Sequence, residues 1–145
     1  MKKVIKLSVL SVVFSVALAT AVSAQSLPKG EWRLTSYNFI DKVAYPIDKM
    51  NITLNVREDG RLGGKSGCNV YGGGYTVEDN KLKVGALIST KMACEDSPMS
   101  FEGRFLEVLG AADTFSLENG ELTITDPKTH SFLRFVEVKK AAPNN

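Results

Sequence analysis

Short runs in which apolar and polar residues alternate dominate this chain. Such alternation is typical of β-strands that are buried on one face and exposed on the other. It is clear in residues 31–37, 52–57, 115–124 and 132–136. We therefore predict a domain built mainly from β-strands.

Pairs of residues that tolerate a positive φ separate these runs. They are Asp59-Gly60, Asp79-Asn80 and Asn119-Gly120. Pairs of this kind favour the tight turns of β-hairpins. Asp126-Pro127 then turns the chain into the last predicted strand. Because hairpins join neighbouring strands, the predicted sheet is antiparallel.

One segment has a helical pattern instead. Ser97-Pro98 is a typical helix start, since serine caps the first turn and proline suits the first helical position. Met99, Leu106 and Leu109 follow at helical spacing, and Glu102 falls on another face. The pattern predicts a helix of about three turns that packs on the sheet through this apolar stripe.

Gly110 is the predicted end of this helix. Many short strands and one helix define the fold class as mainly β (α+β). The expected architecture is a small antiparallel β-barrel or a sandwich-like domain with one packed helix.

Residues 1–24 have the pattern of a cleaved export signal: lysines, then an apolar run, then small residues. The predicted cleavage lies between Ala24 and Gln25. The apolar run is too short for a membrane span, and no cysteine follows the cleavage site to carry a lipid anchor. We expect a periplasmic or secreted protein with a lead-in at 25–30, a domain at 31–138 and a disordered tail at 139–145.

The charge of the exported chain excludes one class of partner. The full chain has a formal net charge of +2, and removal of the three lysines in residues 1–24 leaves −1. A nearly neutral domain lacks the basic surface that nucleic acid requires. We expect no nucleic-acid partner, and we expect a monomer.

Cys68 and Cys94 are the two cysteines of the chain. In an oxidising compartment, two such cysteines are expected to form one disulfide. Closing this loop would contribute about 3–4 kcal/mol to stability in the chain-entropy description. Two buried free thiols are the alternative.

Several stretches together resemble the META domain family, which includes heat-inducible HslJ-like envelope proteins. The matching stretches are residues 30–34 (GEWRL), 67–69 (GCN), 89–94 (STKMAC), 101–109 (FEGRFLEVL), 120–124 (GELTI) and 132–135 (FLRF). The resemblance implies a compact barrel-like fold with one helix, an exported protein and no established catalytic activity. Many relatives are lipoproteins, whereas this signal lacks the anchoring cysteine.

Residues 63–67, GGKSG, look at first like a phosphate-binding loop. That motif needs a glycine where Asp59 stands, and it opens a helix. The glycines at 72–74 disfavour a helix here. The stretch is better interpreted as a hairpin strand that ends at the cysteine, with Lys65 and Ser66 facing solvent.

Catalytic and metal-binding signals are also weak. His130 is the one histidine, and no local feature connects it to either cysteine as an activating base. The aspartates lack the spacing of a calcium loop, and the cysteines and histidine are too few for structural zinc. We therefore predict no catalytic residue, no cofactor, no metal and no enzymatic activity.

Tyr71 and Tyr75 flank three consecutive glycines, which leaves two interpretations open. Together with Asn69, the tyrosines would form a surface contact site for a glycan, a peptide or a partner strand. Alternatively, a bent strand uses the tyrosines to close the barrel, and its glycines allow another strand to approach closely.

Two functional hypotheses follow. The first is a non-enzymatic module of the cell envelope that acts in stress through protein or cell-wall contacts. The second is a small carrier that holds a lipid or another apolar ligand inside the barrel. Six phenylalanines are expected to fill a small core, which favours the first: Phe39, Phe101, Phe105, Phe115, Phe132 and Phe135. An apolar pocket of about 300 Å³ or more would favour the second.

Overall fold

The structure is a computed structural model that describes residues 25–94 and 96–139, without the side chains of Asp48 and of residues 96–98. The predicted export signal with Ala24, and the predicted tail from residue 140 onward, lie outside the described residues. Among the described residues, no helix is long and apolar enough to cross a membrane.

Ten strands and one α-helix make up the described domain, with a short 3-10 helix at Asp48–Met50. The strands are β1 (Gly30–Asn38), β2 (Val43–Ala44), β3 (Thr53–Val56), β4 (Arg61–Lys65), β5 (Val70–Glu78), β6 (Lys81–Val84), β7 (Ile88–Ser89), β8 (Thr114–Glu118), β9 (Glu121–Asp126) and β10 (Ser131–Glu137). Helix α1 (Asp96–Ala111) lies between β7 and β8.

The strands form one antiparallel sheet in the order β6-β5-β4-β3-β1-β10-β9-β8, with β2 added to β1 and β7 added to β5. The two outer strands approach each other and nearly close the sheet. The amide of Leu82 on β6 donates to the carbonyl of Asp113 at 2.9 Å, and the Lys81 ammonium lies 3.3 Å from the Asp113 carboxylate. The predicted mainly β class is confirmed, and the barrel is the observed architecture.

The predicted hairpin turns are confirmed. Asp79 and Asn80 have φ values of 50° and 60°, and Asn119 and Gly120 have 52° and 80°. Two consecutive residues with positive φ match the right-handed twist of the strands that they join. The two-residue strands β2 and β7 were not predicted, because such short pairings leave no periodic pattern.

The barrel interior is packed with apolar side chains from most of the strands. Fully buried members include Leu54, Leu82, Leu122, Ile124, Leu133 and Phe135. Phe105 and Leu109 of α1 are also fully buried. The expected polar lead-in adds to this core, since the side chain of Leu27 is fully buried as well.

The helix packs through a broader face than the one predicted: Leu109 of the predicted stripe is fully buried and Leu106 packs against the core. Met99 is 46% exposed, whereas Phe101, Phe105 and Val108 are buried. Their i, i+4, i+7 spacing is also helical and carries more apolar area. The helix has 16 residues, about four turns rather than three, and it ends one residue beyond Gly110.

The phenylalanine prediction is confirmed for five of the six side chains, which are buried or packed against the core. Phe132 is the exception. Its neighbours Ser131 and Leu133 point inward, so Phe132 lies on the outer face of β10. There its ring centroid is 4.8 Å from the Arg134 guanidinium carbon.

Candidate functional site

A disulfide joins Cys68, in the connection between β4 and β5, to Cys94, just before α1. The two Cα atoms are 6.2 Å apart, within the normal range for a disulfide. The predicted pairing is present in the structure and uses both cysteines, so the chain has no free thiol. A disulfide of this kind indicates a location outside the reducing cytoplasm.

Asn69 connects three parts of the chain next to this disulfide. Its side-chain oxygen accepts hydrogen bonds from the Thr90 hydroxyl at 2.8 Å and from the Met92 amide at 2.7 Å. The backbone amide of Asn69 donates to the Glu102 carboxylate of α1 at 3.0 Å. The side chain is only 4% exposed, so the structure assigns Asn69 to the interior and not to a contact surface.

Two further polar residues of this cluster are buried, against expectation. Ser66 is fully buried, and its hydroxyl donates to the Asn69 carbonyl at 3.1 Å. Glu102 is also buried, and its carboxylate accepts a hydrogen bond from the backbone amide of Asn69. Buried polar groups are tolerated when they are hydrogen-bonded. The prediction that Ser66 faces solvent was therefore wrong.

The two tyrosines of β5 point into the barrel. The Tyr71 hydroxyl donates to the Thr53 carbonyl at 2.9 Å, and burial raises the pKa of this hydroxyl far above its ordinary value. The Tyr75 hydroxyl donates to the Arg57 carbonyl at 3.3 Å and accepts from the Lys29 ammonium at 2.7 Å. The prediction of a surface contact through these tyrosines does not fit their burial, and the bent-strand interpretation does.

The glycines beside these tyrosines face outward instead. Successive side chains of a strand point to opposite faces, so the inward Tyr71 and Tyr75 place Gly72 and Gly74 on the outer surface. A shallow cavity of about 360 Å³ lies over this part of the sheet. Its lining includes Asn55, Arg57, Arg61, Gly63 and Gly72.

A second cleft, of about 420 Å³, lies between β1 and the connection from β1 to β3. Its lining residues are Arg33, Leu34, Thr35, Tyr45, Pro46, Ile47, Asn51 and Ile52. Tyr45 is 73% exposed and Ile47 is 63% exposed, and Ile40 and Val43 are exposed on the same connection. Sequence reasoning missed this cleft because the connection has no periodic pattern. The available signal was the density of large apolar residues in an irregular segment.

Among the described residues, no group of three or more His, Cys, Asp or Glu side chains is arranged to hold a metal. His130 is exposed on the β9–β10 turn. In the same turn, hydrogen bonds from the Thr129 hydroxyl at 2.7 Å and the Lys128 amide at 3.0 Å lower the pKa of Asp126.

These features define a class of protein: a small, disulfide-linked antiparallel barrel with one helix packed against its strands. The chain belongs to the META domain family, which matches residues 25–139. This match confirms the resemblance in the sequence. The family is not known for an enzymatic activity.

Solved structures support the fold. A protein from Burkholderia xenovorans, determined by NMR, is 24% identical with a TM-score of 0.65, over 86% of this chain and all of the other. A DUF4847 family protein from Bacteroides vulgatus is 15% identical with a TM-score of 0.54, over 78% and 95% of the two chains. None of the curated proteins matches this chain. At these identities the likeness concerns the fold alone.

Proposed function

We propose that the protein is an exported, non-enzymatic interaction module of the cell envelope. It binds a partner protein through the cleft between β1 and the β1–β3 connection. The observation that carries this proposal is the exposure of Ile40, Val43, Tyr45 and Ile47 on that one connection. Grouped apolar side chains at a surface are typical of interaction sites.

The composition of the cleft favours a protein as the partner. Tyr45 and Ile47 supply an apolar centre, and Arg33, Thr35 and Asn51 supply polar groups beside it. An apolar centre with a polar rim is the usual arrangement of a protein–protein interface. Tyrosine also contributes strongly at such sites, because it buries a large ring and keeps a polar hydroxyl.

Two features support export to the envelope. Disulfides such as Cys68–Cys94 usually form and persist in oxidising compartments, and residues 1–24 have the pattern of an export signal. The resemblance to heat-inducible envelope proteins supports a role under envelope stress.

The alternative function, a carrier with an apolar ligand inside the barrel, receives less support. The interior is occupied by fully buried side chains such as Leu122, Leu133 and Phe135. The clefts of about 420 and 360 Å³ lie at the surface and are lined partly by polar groups. Native mass spectrometry of the protein purified from its own envelope tests this alternative, and a stoichiometric lipid would contradict the interaction proposal.

The proposed cleft is tested by photo-crosslinking in intact cells of the natural host. A crosslinking amino acid in place of Tyr45 is expected to give a discrete adduct with one protein. The same amino acid in place of Lys128, on the exposed β9–β10 turn, is the matched control and should give none.

A second variant separates binding from folding. Ile47→Ser is expected to abolish the adduct formed at position 45 and to leave the unfolding midpoint unchanged, because Ile47 is mostly exposed. Equal crosslinking at positions 45 and 128, or an adduct that survives Ile47→Ser, would contradict the proposal.

A further inference from the structure

We propose that residues 25–29 of the lead-in, which we call the closing segment, control when the predicted export signal can be removed. Once this segment has docked across one end of the barrel, the bond between Ala24 and Gln25 resists proteolysis. Cleavage must therefore come before docking. This inference rests on the export proposed above, and it is independent of the cleft assigned to a partner protein.

The closing segment crosses the end of the barrel at which β1 begins. β3, β4 and β5 are paired in antiparallel order, so β3 and β5 run in the same direction. β1 begins at Gly30, opposite Val56 at the end of β3. The backbone nitrogen of Gln25 donates to the Asn80 side-chain oxygen at 2.9 Å, in the turn that follows β5. The segment therefore runs from the β5–β6 turn to the start of β1 across a single barrel end.

Leu27 is the apolar anchor of the closing segment. Its side chain is fully buried, and it belongs to the same core as Trp32, Val56 and Leu82. Its burial favours the docked segment because it removes apolar surface from water. Docking of the closing segment is therefore a part of folding.

Polar contacts hold the rest of the closing segment in place. The Pro28 carbonyl accepts a hydrogen bond from the Trp32 indole N–H at 3.3 Å. The Lys29 ammonium donates to the Tyr75 hydroxyl at 2.7 Å and to the Arg57 carbonyl at 3.4 Å. These contacts connect the segment to β1, to β5 and to the residue that follows β3.

The predicted cleavage site lies directly beside this docked segment. Gln25 and Ser26 alone separate the Ala24–Gln25 bond from the buried Leu27. A protease binds an extended stretch of its substrate, so a docked segment is cleaved only from molecules in which it has opened locally. Docking and cleavage therefore compete for the same residues.

The product of cleavage is compatible with the docked state. Addition of water across the Ala24–Gln25 bond leaves a carboxylate on Ala24 and an α-amino group on Gln25. This amino group is mostly protonated at neutral pH. Its nitrogen remains a donor for the Asn80 side-chain oxygen, and a charged donor forms a stronger hydrogen bond than a neutral amide does. The mature chain can therefore dock without losing a contact.

Cleavage of the full-length precursor by purified signal peptidase in detergent micelles tests this order. The precursor is presented either immediately after dilution from urea, before it folds, or after it has refolded and formed its disulfide. The refolded precursor is expected to be cleaved about tenfold more slowly or less, because its closing segment is docked in most molecules. Mass spectrometry of the product that begins at Gln25 measures the initial rates.

Leu27→Ser makes the test specific, because it removes the side chain that anchors the segment in the core. Its refolded precursor is expected to be cleaved nearly as fast as the unfolded one, and near-UV circular dichroism checks that its barrel has folded. Leu117→Ser changes a leucine that is 45% exposed on β8. It is the matched control and should resist cleavage as wild type does.

A second variant leaves the core intact. Lys29→Met/Asn80→Gly removes the contacts at the two ends of the closing segment and keeps Leu27. Glycine also tolerates the positive φ of 60° at position 80. The refolded precursor of this double variant is expected to be cleaved severalfold faster than that of wild type.

Equal cleavage of unfolded and refolded wild-type precursor would overturn the inference. So would wild-type resistance in the double variant or in a folded Leu27→Ser precursor. If even the unfolded precursor is not cleaved, the proposed export fails as well, so the two failures are distinguishable. None of these outcomes bears on the crosslinks expected at position 45.

Discussion

Two hairpins of the same sheet achieve their stability in different ways. In the β9–β10 hairpin, six residue pairs contain no glycine, and the inward side chains Leu122, Ile124, Leu133 and Phe135 are fully buried. In the β4–β5 hairpin, five of the ten residues in the five pairs are glycines. The first hairpin therefore depends on side-chain packing, and the second depends on close contact between backbones.

The second hairpin also depends on hydrogen bonds from outside itself. The Tyr71 hydroxyl donates to the Thr53 carbonyl, and the Lys65 backbone amide donates to the Thr53 hydroxyl at 3.1 Å. The Cys68–Cys94 bond and the Asn69 hydrogen bonds fix the connection between the two strands. The comparison predicts that removal of apolar volume will damage β9–β10 most, and that added volume will damage β4–β5 most.

The largest expected effect is from Phe135→Ala. It removes a fully buried ring from β10 and should lower the free energy of unfolding by about 3–5 kcal/mol. Phe132→Ala, on the outer face of the same strand, is the control and should cost about 1 kcal/mol or less. Chemical denaturation of both variants checks this, and similar losses would contradict the assignment of the two faces of β10.

The next effect is from the disulfide. Cys68→Ser should lower the free energy of unfolding by about 3–4 kcal/mol under oxidising conditions, because the loop between the cysteines is no longer closed in the unfolded chain. With a reductant present, wild type and variant should unfold at nearly the same denaturant concentration. An equal loss under both conditions would mean that the packing of the Cys68 side chain matters and its bond does not.

A pair of alanine substitutions probes the glycine-rich hairpin directly. Gly63→Ala should lower the free energy of unfolding by about 1–3 kcal/mol, because its Cβ overlaps the Tyr71 carbonyl. Gly72→Ala, opposite Gly63, should raise it by about 0.4–1 kcal/mol, because alanine restricts the unfolded chain and meets no obstacle. Thermal or chemical unfolding measures both, and destabilisation by Gly72→Ala would show that the fold itself requires this glycine.

The smallest effect concerns the turn of the β9–β10 hairpin. Hydrogen bonds from Thr129 and Lys128 lower the pKa of Asp126 from its ordinary value of 3.8. A lowered pKa in the folded state stabilises the protein above the unfolded pKa, and this contribution is lost as the pH falls through the folded value. Wild type should exceed Asp126→Asn in stability at neutral pH, and the difference should shrink below about pH 4. A difference independent of pH would contradict this origin.

The alternating strands, the positive-φ turns and the cysteine count were sufficient to predict the fold class and the disulfide pairing. These features are local, so each can be recognised without knowledge of its neighbours. Phe115 to Ile124 is an example, because the strand period and the Asn119-Gly120 turn occur together. The family resemblance was visible in the same residues and is confirmed by the match over residues 25–139.

The functional surfaces could not be predicted in this way. The β1–β3 connection has no period, so the sequence did not indicate that Tyr45 and Ile47 would line a cleft. The sequence offered Asn69, Tyr71 and Tyr75 as a surface contact site. Their side chains are buried in the structure. The adjacent Gly72 and Gly74 face the surface instead, and only the register of β5 reveals it.

The sequence by itself thus determined which of the longer segments become strands, where they turn and which cysteines pair, because short-range patterns and composition decide these features. The tertiary structure alone decided which side of each irregular or glycine-rich segment faces inward. A glycine contributes no apolar side chain to a pattern, so the orientation of β5 depends on Thr53 and Arg57, whose carbonyls accept its tyrosine hydroxyls. Likewise, the burial of Glu102 depends on a hydrogen bond to its carboxylate from the backbone amide of Asn69, which is 33 residues away in the chain.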